Sequence, residues 1–165
     1  MPLHGDRALF EKLSLEGFQA GLSWLTILRR RPGFRRAFAN FEPAVLAGYG
    51  ARDVERLLAD PGIIRNRAKI EATITNARVT VQLTADDPGA LDRLIWGFRP
   101  AGLRSEAARP RSAADLPAST PESAALSAEL RRRGYRFVGP TTSYALMQSA
   151  GLVDDHVSGC WRAAS

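Results

Sequence analysis

Apolar residues in this chain recur every three or four positions, and no stretch alternates apolar with polar residues convincingly. The periodic stretches are cut at Pro32-Gly33, Pro61-Gly62, Pro88-Gly89 and Gly139-Pro140. Such punctuation confines the chain to short helices joined by tight turns. The fold class expected is all-α, a compact multi-helix domain, and no internal repeat is visible. At 165 residues the chain suits one domain spanning 1–165.

Leu9, Phe10, Leu13 and Gly17 share a helical face, so a helix is expected over 6–17 with Asp6 as N-cap. A second helix starts at Leu22, carries Trp24, Leu25 and Leu28, and is expected to stop at Pro32-Gly33. Short amphipathic stretches follow at 34–41, after Pro43 and at 53–59. Ile63, Ile70, Ile74 and Ala77 mark a long helix ending near Leu83, and 91–98 a short one. Residues 99–118 are rich in Arg, Ala, Pro and Ser, and read as an exposed internal loop. Ser119 and Glu122 have capping-box spacing around Pro121, so a helix starts there and runs to Arg131-Arg132-Arg133. Gly134 is its expected C′ residue, 135–140 a hairpin, and 141–150 a last helix closed by Gly151.

Lys and Arg number 23 against 17 Asp and Glu, a net charge of +6. That excess favours a polyanionic partner such as nucleic acid, or reflects an Arg-rich and Ala-rich composition alone. The single cysteine, Cys160, excludes an intrachain disulfide and an all-cysteine zinc site. No apolar run is long enough to cross a bilayer, and the first residues carry no signal pattern, so a cytoplasmic protein without a membrane partner is expected.

The segment GYRFVGPTTSYALMQSAGLVDDHVSGC, residues 134–160, holds a glycine turn, a helix and then Val153-Asp154-Asp155-His156-Val157. Gly139 allows close backbone approach to a phosphate. The N–H groups at the start of the helix beginning near Thr141 point the same way. Gly134, Val138, Gly139 and Thr141 are therefore the expected DNA-binding residues, gripping the backbone without reading sequence. The alternative is an ordinary corner between two helices. The segment resembles the helix-hairpin-helix DNA glycosylase superfamily, which implies a helix-hairpin-helix motif and double-stranded DNA as partner. Asp154 stands where that superfamily commonly carries a catalytic aspartate, able to stabilise charge on the sugar or orient water. It serves equally as a helix-capping residue after Gly151.

A second signature is LEGFQAGLSW, residues 15–24. It closely resembles the DNA-3-methyladenine glycosylase I family, and the likeness continues through GIIRNRAKI at 62–70, Phe137-Val138-Gly139, Asp155-His156-Val157 and Gly159-Cys160. That family usually has Asn where this chain has Asp154. The resemblance implies that Glu16 contacts a flipped base and acts in catalysis, and that Trp24 stacks on the base. A carboxylate and an aromatic face suit a cationic purine extruded from the duplex. Composition alone would make Glu16 a surface residue and Trp24 a core one. Arg65, Arg67 and Lys69 form either a DNA-facing strip or a solvated helix face. Superfamily members that also cut the strand carry a lysine near the hairpin. Here Thr141 stands near it, and Lys12 and Lys69, the only lysines, lie elsewhere. A monofunctional glycosylase of base-excision repair is expected, with no obligate protein partner implied.

The family normally begins with a segment bearing a Cys, a Trp and a Y-H-D-x-E-W-G motif, and Met1-Pro2-Leu3 stands just after its place. The chain is thus expected to be N-terminally truncated, by a miscalled start or a genuine loss. In-frame translation upstream distinguishes these. His156 and Cys160 match half of the family's structural zinc site. With four ligands needed and two matched, zinc is expected to be absent or weakly bound. The competing expectation for function is a catalytically impaired DNA-binding relative.

Overall fold

The computed structural model describes residues 2–101 and 109–160. Among them every regular element is helical. The α-helices are α1 (Asp6–Gln19), α2 (Trp24–Ala37), α3 (Pro43–Ala47), α4 (Ala51–Ala59), α5 (Arg67–Thr84), α6 (Ala90–Trp96), α7 (Pro121–Arg132) and α8 (Pro140–Ala150). Short 3₁₀ turns lie at Ala39–Phe41 and Ala113–Asp115.

Helix α1 is the centre of the molecule. It packs on α2, α5, α6 and α8, and its residues from Leu13 to Phe18 are all buried. A helix covered on nearly every side carries little amphipathic asymmetry. Around it, Phe18 meets Phe34 at 4.7 Å and Phe38 at 5.7 Å, and Phe38 stacks on Phe41 at 5.5 Å. Positive φ values at Ala39, Asn40 and Phe41 fold the chain back after α2 and bring the last ring into this cluster.

Several expected boundaries are corrected. Pro32-Gly33 does not stop α2, which continues to Ala37. Pro32 removes one helical hydrogen bond, but burial of Phe34 and Ala37 in the aromatic cluster offsets it. Gly33 serves close packing instead: a Cβ there would lie 2.4 Å from the Gly62 carbonyl oxygen. Arg30 ties the same turn down, donating from Nη1 to the carbonyls of Pro61 at 2.6 Å and Ile63 at 3.2 Å. Helix α5 starts at Arg67, not at Ile63, because Asn66 caps it through the Lys69 N–H at 3.1 Å.

Asp6 is not the cap of α1, a place taken by Gly5. Its carboxylate accepts from the Gly89 and Asp92 amides, at 2.7 and 2.9 Å, and so caps α6. Asp92 returns the service by accepting from the Gly5 amide at 2.5 Å. Two helix N-termini thus share their caps, a pairing invisible to local pattern. For α7 the capping box is Thr120 with Ser123, not Ser119 with Glu122: the Ser123 amide donates to Thr120 Oγ1 at 3.2 Å.

The stretch 99–118 is not uniformly an exposed loop. Arg109 and Pro110 are buried, and the Pro110 carbonyl accepts from the Ser158 amide at 2.9 Å. Residues 102–108 of that expectation lie outside the described residues. No helix among the described residues is long and apolar enough to cross a membrane.

Candidate active site

Three helices converge on a cleft of about 330 Å³. Helix α1 contributes Glu16 and Gln19, the start of α2 contributes Trp24, and α8 contributes Ala145, Gln148 and Ser149. The volume lies within the range of small-molecule sites. Trp24 is placed by the Ser23 cap, whose Oγ accepts from the Thr26 amide at 3.3 Å.

Glu16 is 4% exposed. Its Oε1 accepts from Ser149 Oγ at 2.9 Å and lies 3.8 Å from Lys12 Nζ. Burial pushes the Glu16 carboxyl above its ordinary range, against the opposing pull of Ser149 and Lys12. The Lys12 ammonium also sits 4.3 Å from the centroid of the Trp24 ring. Gln148 is held in turn by Asp155, whose Oδ2 accepts from Gln148 Nε2 at 2.8 Å and from the Tyr144 hydroxyl. The cleft therefore presents an anionic edge and an aromatic face with little freedom to move.

Helix α8 carries both the cleft and the hairpin. Gly139 is its N-cap, and the cleft residues begin at Ala145. At 1.5 Å per residue, the hairpin stands about 9–15 Å from the cleft along this helix. Gly134 has φ +98 and Phe137 φ +55, so the turn rests on two left-handed residues. Val138 is buried, and its carbonyl accepts from Ser127 Oγ at 2.6 Å. Gly139 is half-buried beside the Arg131 side chain, and Thr141 is exposed. The geometry is consistent with a helix-hairpin-helix corner.

A buried asparagine of α5 holds the hairpin. Asn76 Nδ2 donates to the Arg136 carbonyl at 3.0 Å, and its Oδ1 accepts from the Arg136 amide at 2.7 Å. Asn76→Ala would leave both groups of Arg136 without that partner, and is expected to cost about 2–3 kcal/mol of stability. Urea unfolding measures this, and an unchanged midpoint would contradict the clamp.

The family model described as methyladenine glycosylase matches residues 1–163. The chain belongs to that family. It is 42% identical over 160 residues to DNA-3-methyladenine glycosylase 1 of Escherichia coli (strain K12), covering 97% of this chain and 84% of that one. The crystal structure of a 3-methyladenine DNA glycosylase I superposes with a TM-score of 0.92 at 41% identity, covering 99% of this chain and 88% of the other. A variant of a 3-methyladenine DNA glycosylase I, solved in complex with 3-methyladenine, matches with a TM-score of 0.89 at 31% identity. That match covers all of this chain and 87% of that one.

Asp154 is not part of the cleft lining. Its Oδ2 accepts from Arg109 Nη1 at 2.8 Å and its Oδ1 from the His156 amide at 3.2 Å. The two residues expected as half of a zinc site lie together, with His156 Nδ1 and Cys160 Sγ 3.7 Å apart. That spacing fits one edge of a tetrahedral zinc site, about 3.6 Å from ordinary bond lengths. Among the described residues, however, no group of three or more His, Cys, Asp or Glu side chains could hold a metal. Two donors do not complete a closed zinc site. His4 is engaged elsewhere, bonded to Asp92 at 3.0 Å and stacked on Trp96.

The strip at 65–69 divides. Lys69 does not face outward as a DNA contact: its Nζ donates to the carbonyls of Phe18 at 3.0 Å and Ala20 at 2.7 Å, closing the C-terminus of α1. Arg67 pairs with Glu55 at 2.7 Å, and Arg65 is exposed. Sequence reasoning missed Lys12, Gln148, Ser149 and Asn76. The i,i+4 spacing of Lys12 and Glu16 was a usable signal. Ser149 and Asn76 meet their partners across 133 and 60 positions, and Gln148 meets Asp155 seven residues on.

Proposed function

We propose that this chain hydrolyses the N-glycosidic bond of 3-methyladenine in double-stranded DNA, as a monofunctional glycosylase of base-excision repair. The observation that carries the reading is the convergence of a buried Glu16 and Trp24 on a cleft whose far wall, α8, begins at the hairpin. The hairpin grips the phosphate backbone at Gly139 and Thr141, and the nucleotide rotates into the cleft. Glu16 meets the positive edge of the alkylated purine and Trp24 its face. The base is already cationic, so its departure needs no proton. The bond breaks with its electron pair going to the base, and water adds to the sugar carbon. Asp154, bound to Arg109, anchors the segment after α8, and a direct role on the sugar would require that pair to open. Two zinc donors support weak metal binding by this chain at most.

The test is release of free 3-methyladenine from methylated duplex DNA, measured by chromatography, beside DNA affinity across a salt series. Base release without strand cleavage and salt-sensitive binding are expected. Salt-sensitive binding without release would instead make the chain an impaired DNA-binding relative. A borohydride-trapped adduct would overturn the monofunctional assignment.

A further inference from the structure

Lys12 contacts both Glu16 and Trp24, the residues proposed to hold the base, without lining the cleft. Its Nζ is 3.8 Å from Glu16 Oε1 and 4.3 Å from the Trp24 centroid. It lies in a small adjoining cavity bounded by Leu15, Trp24, Ile27, Leu28 and Arg31. Its side chain is 14% exposed, so water screens it poorly. An internal cation thus sits behind the cleft, against the carboxylate and ring that would receive a cationic base.

From this we infer that Lys12 is a specificity-determining residue that weakens the cleft's hold on a positively charged purine relative to a neutral one. The inference rests on the function proposed above and deepens it. A cation entering the cleft shares Glu16 with the ammonium and meets Trp24 already polarised by it. A neutral purine pays neither cost. The reaction converts one into the other. The bond from C1′ to N9 breaks, its electron pair stays on N9 and the base becomes neutral. The positive charge passes to the sugar, where water adds and gives up a proton. Repulsion from Lys12 acts on the charged base before cleavage and fades as the charge leaves it. Lys12 therefore costs affinity for the lesion and lowers the barrier to cleavage.

Burial depresses the Lys12 ammonium below its ordinary range; Glu16 and Glu11 favour the charged form, and Arg31 opposes it.

The test compares wild type, Lys12→Met and Lys12→Arg in mildly alkaline buffer. The probes are 3,9-dimethyladeninium, a fixed cation substituted at N9 like the lesion, and neutral 3-methyladenine. Lys12→Met is expected to raise the cation-to-neutral affinity ratio about tenfold and to slow single-turnover excision at saturating enzyme. Lys12→Arg, which keeps the charge, is expected to retain the wild-type ratio if it folds, and circular dichroism checks both variants. Either an unchanged ratio or an unchanged excision rate in folded Lys12→Met overturns the inference. If wild type binds neither probe and releases no base, the proposed function itself has failed, and the inference with it.

Discussion

Glu16→Gln is expected to lower release of 3-methyladenine at sub-saturating enzyme by about 100-fold or more, through weaker capture of the cationic base, while stability stays within about 1 kcal/mol of wild type. The amide keeps the shape and can still pair with Ser149, but it cannot neutralise a cation. The stability side follows from the raised carboxyl of Glu16. A buried carboxylate that resists ionisation favours the fold below its unfolded value, and that advantage is lost as pH rises through its folded value. Removing the charge therefore relieves a cost at neutral pH, offset by leaving Lys12 without its nearest carboxylate. The same shift predicts the acid limb. Excision by wild type should fall as pH drops through a value above the ordinary carboxylate range, because the anionic form is the one that holds the base. Paired pH profiles check this: a limb of the same position in Glu16→Gln would assign it to another group.

Gly33→Ala is expected to destabilise the protein by about 2–4 kcal/mol, although alanine is the better helix former by about 1 kcal/mol. The added Cβ would stand 2.4 Å from a backbone oxygen of Gly62, and neither partner is the end of a flexible side chain. Relief requires α2 to move away from the turn that precedes α5. Because α2 also carries Trp24 at its N-terminus, the same displacement disturbs the cleft. For a chain of this size the thermal midpoint should fall by about 5–15 °C. An equal or higher midpoint would show that the helix and turn separate without cost, and would remove Gly33 as the packing constraint.

That Glu16 and Trp24 share one cleft was expected from the family resemblance and not from local pattern. Glu16 and Trp24 lie within one ten-residue signature, and the Gly139-Pro140 turn marks its own helix start. Harder to read were the residues that complete these groups. Ser149 reaches Glu16 from a helix 133 positions away, and Asn76 holds Arg136 across 60. Neither serine nor asparagine carries a spacing that names a distant partner. Lys69 shows the opposite failure: a charge pattern suggested an outward strip, yet its ammonium closes the end of α1.

Periodicity and turn chemistry alone establish that this chain is helical and where most helices lie, since both depend on neighbours along the backbone; which short signature bears the chemistry came from its resemblance to a family. Packing decides the rest. It carries α2 through Pro32, exchanges the caps of α1 and α6 between Asp6 and Asp92, docks Arg109 on Asp154, and seats Lys12 between a carboxylate and an indole. Each of these is a balance between a local cost and a burial or pairing gained from another element, and that gain exists only once the elements have come together.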